Sequence, residues 1–506
     1  MKYSSRHRYK IQGVWLSDQA GKRFYPDKLF LEKARLLEML GQPGAAGEIY
    51  RKNIEAAGRM GVEGSTARSL TGLGGLLTDQ GDYEGSLALL RQAEDINIRL
   101  DEKRGLADVY NKIAHVYGNK SDYQKTGEYL NRSLETAREM KDEAGVGIAL
   151  VNLGVLEQEH GNFIAAREMM LKAWEISRRL DLLDLQINVA SRTAWVLYSQ
   201  GDLDGALREY QLSLTLSQRT GNKRVKGHAL GNCGIIYWTR GQLKEAGDCF
   251  AQAAQIMKTC GDLANLAQAE GNMGLVYSDM GEISKARQCF DRQLEISEKL
   301  GNRSITALAA GNIGDIHYEL GEYDRAGEWV NKQLAIGEEI GDKLLISHSW
   351  YMLGNISKNE GRGPSALELY CRAVDLAQST GLEYYLCNYL CARAWLHHNT
   401  GSLQEAGNDA ARARELSGKV QNKDAAFESR LLLALLKADE QKETALGEML
   451  GLKEQVVKEQ QKARLFHELF KMTGDQEYRK EAVGIYQGIW EKTRNAECRK
   501  HLAELR

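Results

Sequence analysis

The chain has 506 residues, and its 67 basic and 69 acidic side chains leave a net charge of −2. That balance argues against a nucleic-acid footprint, which needs a basic surplus. No apolar run nears the roughly 18 residues of a membrane span, and the opening M-K-Y-S-S-R-H-R-Y-K lacks the apolar core of a signal peptide; no membrane partner and a cytoplasmic protein are expected.

Residues 1–25 fit no helical period. His7 to Phe24 mixes aromatics, charges and glycine, and reads as a short extended segment, a disordered tail or a linker from an upstream domain. Pro26 then opens the first helix, at the position where proline is favoured.

From 26 to 421 the sequence repeats every 40 residues, which predicts ten helical hairpins. Leu230–Gly241 (L-G-N-C-G-I-I-Y-W-T-R-G) returns at Glu270–Gly281 and Ala310–Gly321. Positions 41, 81 and onward to 401 hold glycine except at Ser121, and a second set of breaks falls midway, at Gly61, Asp101, Lys141, Asp181, Gly221 and onward to Gln421. Two helices of about 16 residues, each closed by a left-handed residue, fit that spacing. Only three prolines against 51 glycines suits a nearly all-helical chain whose glycines are placed by rule.

Two columns carry the packing. Seven residues before each first break stand only alanine or glycine, from Ala34 and Gly74 to Gly354 and Ala394. Five after it stand Ala46, Ser86, Thr126, Ala166 and alanines onward to Ala406. Small side chains here let paired helix axes approach, and larger ones would overpack the crossing. Between them apolar residues recur at three and four, as at Ala286, Phe290, Leu294 and Ser297.

After Gln421 the period loosens. Helices are expected at Asp424–Lys437 and Lys442–Lys458, then at Gln460–Met472 and Tyr478–Thr493, giving two degenerate hairpins over 422–493. Residues 494–506 read as a capping helix, since a terminal unit must turn one face to water.

Chemistry is sparse. There is no G-x-x-x-x-G-K-[ST] loop and no H-E-x-x-H. Cys387, Cys391, His397 and His398 lie close in sequence but lack metal-site spacing. The eight cysteines, with no C-x-x-C pair, read as reduced core thiols. Asp82, Asp122, Asp202, Glu282 and Glu322 sit beside breaks, where helix capping explains them. No cofactor, no metal and no catalytic residue is expected, and the chain does not read as an enzyme.

Gly234-x-x-Tyr237, the break at Gly241, Ala246, Phe250 and Ala253 together resemble the tetratricopeptide repeat. The usual unit has 34 residues; this longer one is similar to those of Pins-type spindle adaptors, kinesin light chains and bacterial signalling arrays. The resemblance covers about 26–493 and implies a right-handed α-solenoid of about twelve hairpins plus a cap. It implies a scaffold or adaptor that binds a protein or peptide, or alternatively a sensor array controlling a nucleotide cyclase or STAND-type ATPase. Oligomeric state is not implied, the closing proline of the repeat is missing, and the tail motifs of the spindle adaptors are absent.

In such an array the first helices line the concave side, so residues two before the first small column, and one, four or five after it, should face the hollow. Two before it stand Lys112, Asn152, Arg192, Asn232, Asn272 and Asn312, with Gly72 and Met352 outside them. Asparagine is a poor helix-interior residue, and an amide matches the backbone of an extended peptide. Two readings stand: these amides grip a ligand, as in similar proteins, or tie each helix to the next repeat. His115, Trp195, Tyr198, Trp238, Asp315, Tyr318 and Asn355 join the expected groove, where aromatic and arginine side chains are frequent hot spots.

Overall fold

A computed structural model describes residues 8–11, 14–17, 26–39, 43–120, 122–438, 440–454, 456 and 458–506. β1 (Arg8–Ile11) and β2 (Val14–Ser17) form an antiparallel pair, with Tyr9 opposite Leu16 and Lys10 opposite Trp15. Of the three readings of the N-terminal segment, the extended one fits these eight residues; the rest of 1–25 lies outside the described residues.

Everything described beyond them is helix and turn, and the chain forms two compact units. The first, Met1–Arg240 with Gln255–Asp262, contains α1 (Pro26–Met39), α2 (Pro43–Met60), α3 (Glu63–Asp79), α4 (Tyr83–Arg99), α5 (Lys103–Asn119) and α6 (Tyr123–Glu139). It continues through α7 (Glu143–Glu159), α8 (Phe163–Arg179), α9 (Leu183–Ser199), α10 (Leu203–Thr220) and α11 (Lys223–Thr239). α12 (Leu243–Cys260) is divided between the units. The second contains α13 (Leu263–Asp279), α14 (Ile283–Leu300), α15 (Arg303–Glu319), α16 (Tyr323–Ile340), α17 (Lys343–Asn359), α18 (Gly363–Ser379) and α19 (Glu383–Asn399). α20 (Leu403–Lys419), α21 (Lys423–Lys437), α22 (Lys442–Lys453), α23 (Glu459–Thr473), α24 (Gln476–Thr493) and α25 (Ala496–Glu504) complete it. Within each unit an odd-numbered helix packs on the even-numbered one after it, and each hairpin stacks on the next. This is the all-α solenoid architecture the repeat predicts; α22 stops at Lys453, short of the expected Lys458.

The breaks end helices as the spacing requires. Gly81, Gly161, Gly241 and Gly321 have φ of 85°, 77°, 73° and 77°. The non-glycine breaks Asp101, Lys141, Asp181 and Gln421 adopt the same left-handed state at 50–54°, against a Cβ penalty of about 1–2 kcal/mol. Gly41 and Ser121 lie outside the described residues. Asp82, Asp122 and Asp202 cap the following helices, accepting from the amides of Gly85, Lys125 and Gly205. Glu282 and Glu322 make no such cap bond. Glu322 accepts instead from His317 at 2.7 Å and Arg325 at 3.1 Å, its extra methylene carrying the carboxylate past the helix end.

Both small columns are buried throughout their described length. Opposite the first lies a large residue of the partner helix: Leu90 against Gly74, Phe290 against Gly274, Tyr370 against Gly354. A Cβ on Gly274 would come within 2.4 Å of the Phe290 ring. Exposed pairs such as Arg99–Glu63, Lys103–Glu139 and Arg179–Glu143 recur 36 residues apart. Each is worth only about 0–1 kcal/mol in water, so the interlocking small and large columns carry the fold.

Each unit also makes a contact distant in sequence. In the first, Arg224 of α11 donates to the backbone oxygen of Glu38 in α1 at 2.9 Å and pairs with the buried Asp262 at 2.7 Å. In the second, the turn after α15 lies against the start of α25, where a Cβ on Gly321 would fall 2.8 Å from Ala496 Cβ.

Candidate functional site

In the first unit a cavity of about 1220 Å³ opens along the first helices of successive hairpins. α5 contributes Asp108, Asn111, Lys112, His115 and Asn119; α7 contributes Ile148, Asn152, Val155 and Glu159; α9 contributes Arg192. Arg35 of α1 and Arg68 of α3 complete the polar rim. Lys112, His115, Asn152 and Arg192 are thus brought to one wall. Lys112 and Asn152 stand two before Ala114 and Gly154, and His115 and Val155 one after them.

Arg68, Asp108 and Ile148 were not singled out from the sequence. They stand four residues before Gly72, Lys112 and Asn152, one turn further along the same face. Extending the concave register by that turn would have found them.

Asn152 resolves partly toward the structural reading. Its Nδ2 donates to Asn111 Oδ1 at 3.1 Å, tying α7 to α5, while Asn111 donates back to the Ala107 carbonyl at 3.0 Å. Burial holds the His115 imidazole below its ordinary range; Asp79 opposes that shift, and Lys112 and Arg192 reinforce it. His115 therefore presents an uncharged ring beside two cations at neutral pH. Cations, amides, the carboxylates of Asp108 and Glu159 and the apolar Ile148 and Val155 share this wall, a surface for hydrogen bonding and packing.

The remaining expected residues of the first unit lie outside that lining. Trp195 is 42% exposed, its ring 5.4 Å from that of Tyr198. Asn232 and Trp238 are half-buried on α11.

In the second unit Asn272 and Asn312 are half-buried on α13 and α15. Asp315 is half-buried: its Oδ1 is shielded from solvent without a hydrogen-bond partner, and burial pushes the carboxyl up to about 7. Glu319 rises to about 7 as well, through burial first and then repulsion from Asp315 and Asp279. Tyr318 accepts from Asn359 Nδ2 at 2.8 Å. Burial, followed by the Glu497 charge on α25, holds its phenol well above the usual range. Asn355 does not line an open wall. It is 7% exposed and accepts from the Tyr370 hydroxyl at 2.6 Å, so its amide braces α17 against α18.

Among the described residues, Cys387, Cys391, His397 and His398 of α19 do not gather into a group of metal-ligand geometry. Cys387 and Cys391 are buried and directed at the backbone oxygens of Tyr384 and Ala425. Burial raises both thiols, so they keep their protons. Among the described residues, no helix is long and apolar enough to cross a membrane.

Comparison with known proteins bears on the fold these walls are built on. A mitochondrial tetratricopeptide repeat protein 19 homolog of Drosophila melanogaster is 29% identical over 108 residues, which are 21% of this chain and 29% of that protein. The match thus spans under a third of the relative's length. Aspartyl phosphate phosphatase F from Bacillus subtilis has a similar structure at TM-score 0.49 and 15% identity, covering 67% of this chain and 91% of that one. The apo quorum sensor NprR from B. thuringiensis gives 0.48 and 16%, covering 69% and 98%. Two family models, both described as tetratricopeptide repeat, match residues 105–179, 187–259 and 265–339, and 66–100. Together they take in just over half of the chain, and the buried small columns and left-handed breaks recur through each matched stretch. The chain belongs to the tetratricopeptide repeat family.

Proposed function

We propose that this chain is an interaction scaffold whose first unit holds an extended peptide segment of a partner protein. The observation that carries the reading is the cavity of about 1220 Å³ in which α5, α7 and α9 present Lys112, His115, Asn152 and Arg192 together. Cations, carboxylates and amides spaced on rigid helices suit an extended ligand that offers backbone amides and carbonyls and side chains of both charges. Ile148 and Val155 supply apolar area between them.

Selection of random displayed peptides against the intact chain tests this. K112A/R192A should weaken the selected peptides by about tenfold or more, the scale of a hot-spot loss. R167A/K172A, on the exposed outer face of α8, should leave them unchanged. A failure to select any peptide, or equal binding by K112A/R192A, would overturn the proposal.

A further inference from the structure

Away from the inner walls, three side chains converge near the C-terminus. His467 of α23 is 2% exposed. His501 and Glu504 stand three apart on α25, on one face of that helix. One ligand atom from each lies within 4.8 Å of the other two, and among the described residues no other such group of His, Cys, Asp and Glu gathers. His501 Nδ1 is 3.1 Å and His467 Nε2 3.9 Å from the same Glu504 oxygen.

The scaffold around them is held at several points. Asn495 caps α25 by accepting from the Cys498 amide at 3.1 Å. At the other end Arg479 of α24 donates to the backbone oxygens of Leu505 at 2.7 Å and Arg506 at 3.0 Å. The His501 ring stacks on Tyr486 with centroids 5.0 Å apart and meets His467 edge-on at 5.3 Å.

We propose that His467, His501 and Glu504 bind a divalent transition-metal ion, Zn²⁺ by its ligand chemistry, which clasps α25 to α23. Two imidazoles and one carboxylate form a nitrogen-rich set that suits Zn²⁺ and its neighbours and disfavours Ca²⁺ and Mg²⁺, which take oxygen ligands. Around tetrahedral zinc, neighbouring ligand atoms stand about 3.3 Å apart. The 3.1 Å pair meets that spacing, the 3.9 Å pair needs a small swing of Glu504, whose side chain is 39% exposed, and the two imidazoles, within 4.8 Å of each other, close on the ion by a turn of the partly exposed His501 ring. That exposure also leaves the fourth position to water. The other ring nitrogen of His501, Nε2, lies 3.9 Å from Glu497 Oε1, the outer carboxylate that commonly orients a metal-bound imidazole.

The full chain, stripped of metal and kept reduced, is titrated with Zn²⁺ by calorimetry and with Co²⁺ by visible absorption. The expected result is one ion per chain, a tetrahedral Co²⁺ spectrum without thiolate charge transfer, and a Zn²⁺-dependent rise in melting temperature. H501A and E504Q alter partly exposed side chains and should keep the fold, checked by circular dichroism. H501A should weaken binding by more than about 100-fold and E497Q by about tenfold. H397A/H398A should bind as the parent does. Absence of saturable binding, a thiolate signature, or unchanged affinity in H501A would overturn the proposal.

Discussion

Arg224 donates to the backbone oxygen of Glu38 across 186 residues of sequence, and the same guanidinium pairs with Asp262, which is 2% exposed. One side chain thus joins the end of α1 to α11 and neutralises a buried acid. R224A should lower stability by about 2 kcal/mol, the range for a lost hydrogen bond to a charged group with its partner left buried. Urea unfolding of R224A checks this, and R224A/D262N should recover part of the loss.

Gly354 faces Tyr370 so closely that an added Cβ would stand 2.6 Å from the ring. Alanine is a better helix former by about 1 kcal/mol, yet G354A should be less stable by about 2 kcal/mol, because overpacking at a fully buried crossing outweighs propensity. A double-mutant cycle with Y370L should show a favourable coupling of about 1 kcal/mol or more. A G354A variant that melts above the parent would refute the crossing as a steric limit.

The left-handed breaks make the opposite forecast. Lys141 and Gln421 hold φ of 54° with full side chains. K141G and Q421G should each raise stability by about 0.5–1 kcal/mol, the relief of Cβ strain less the added freedom of the unfolded chain. G241A, at φ 73°, should lower it by about 1 kcal/mol. Thermal melts of the three variants decide it.

Asp315 and Glu319 titrate near 7 in the fold against about 4 when unfolded. A carboxyl raised in this way favours the fold while protonated. Its contribution is present below the unfolded value and is lost as pH climbs toward 7. Stability from urea unfolding should therefore fall between about pH 4 and pH 7, by about 2 kcal/mol once solvent relaxation is allowed for. D315N should flatten that slope and unfold later than the parent at the alkaline end.

What repeats was legible in the sequence. Asp101 and Lys141 could be placed at helix ends only because glycine marks the same phase elsewhere, and both take the left-handed state. The small residues facing Leu90, Phe290 and Tyr370 follow from the same phase. Position within a unit sets the face of a helix, and by it Lys112, His115, Asn152 and Arg192 line one cavity, while the other residues expected in the groove do not. The period is silent on contacts between distant units. Nothing in it shows that Arg224 reaches Glu38, that one oxygen of Asp315 is shielded without a partner, or that His467 meets His501. Asn355 misleads for a related reason: its neighbour Tyr370 is longer than the Val330 at the matching place one unit earlier, and the hydroxyl captures the amide.

The meeting of Gly321 and Ala496 has a consequence for how such a chain can change size. An open stack can gain or drop a hairpin anywhere without penalty beyond its own interfaces. Here the two ends of a 175-residue stretch touch with no room for a methyl group at the first of them. Duplicating or excising one module between them would carry the final helix out of register and leave both surfaces bare, so this half of the protein tolerates substitution far better than it tolerates a change in the number of its hairpins.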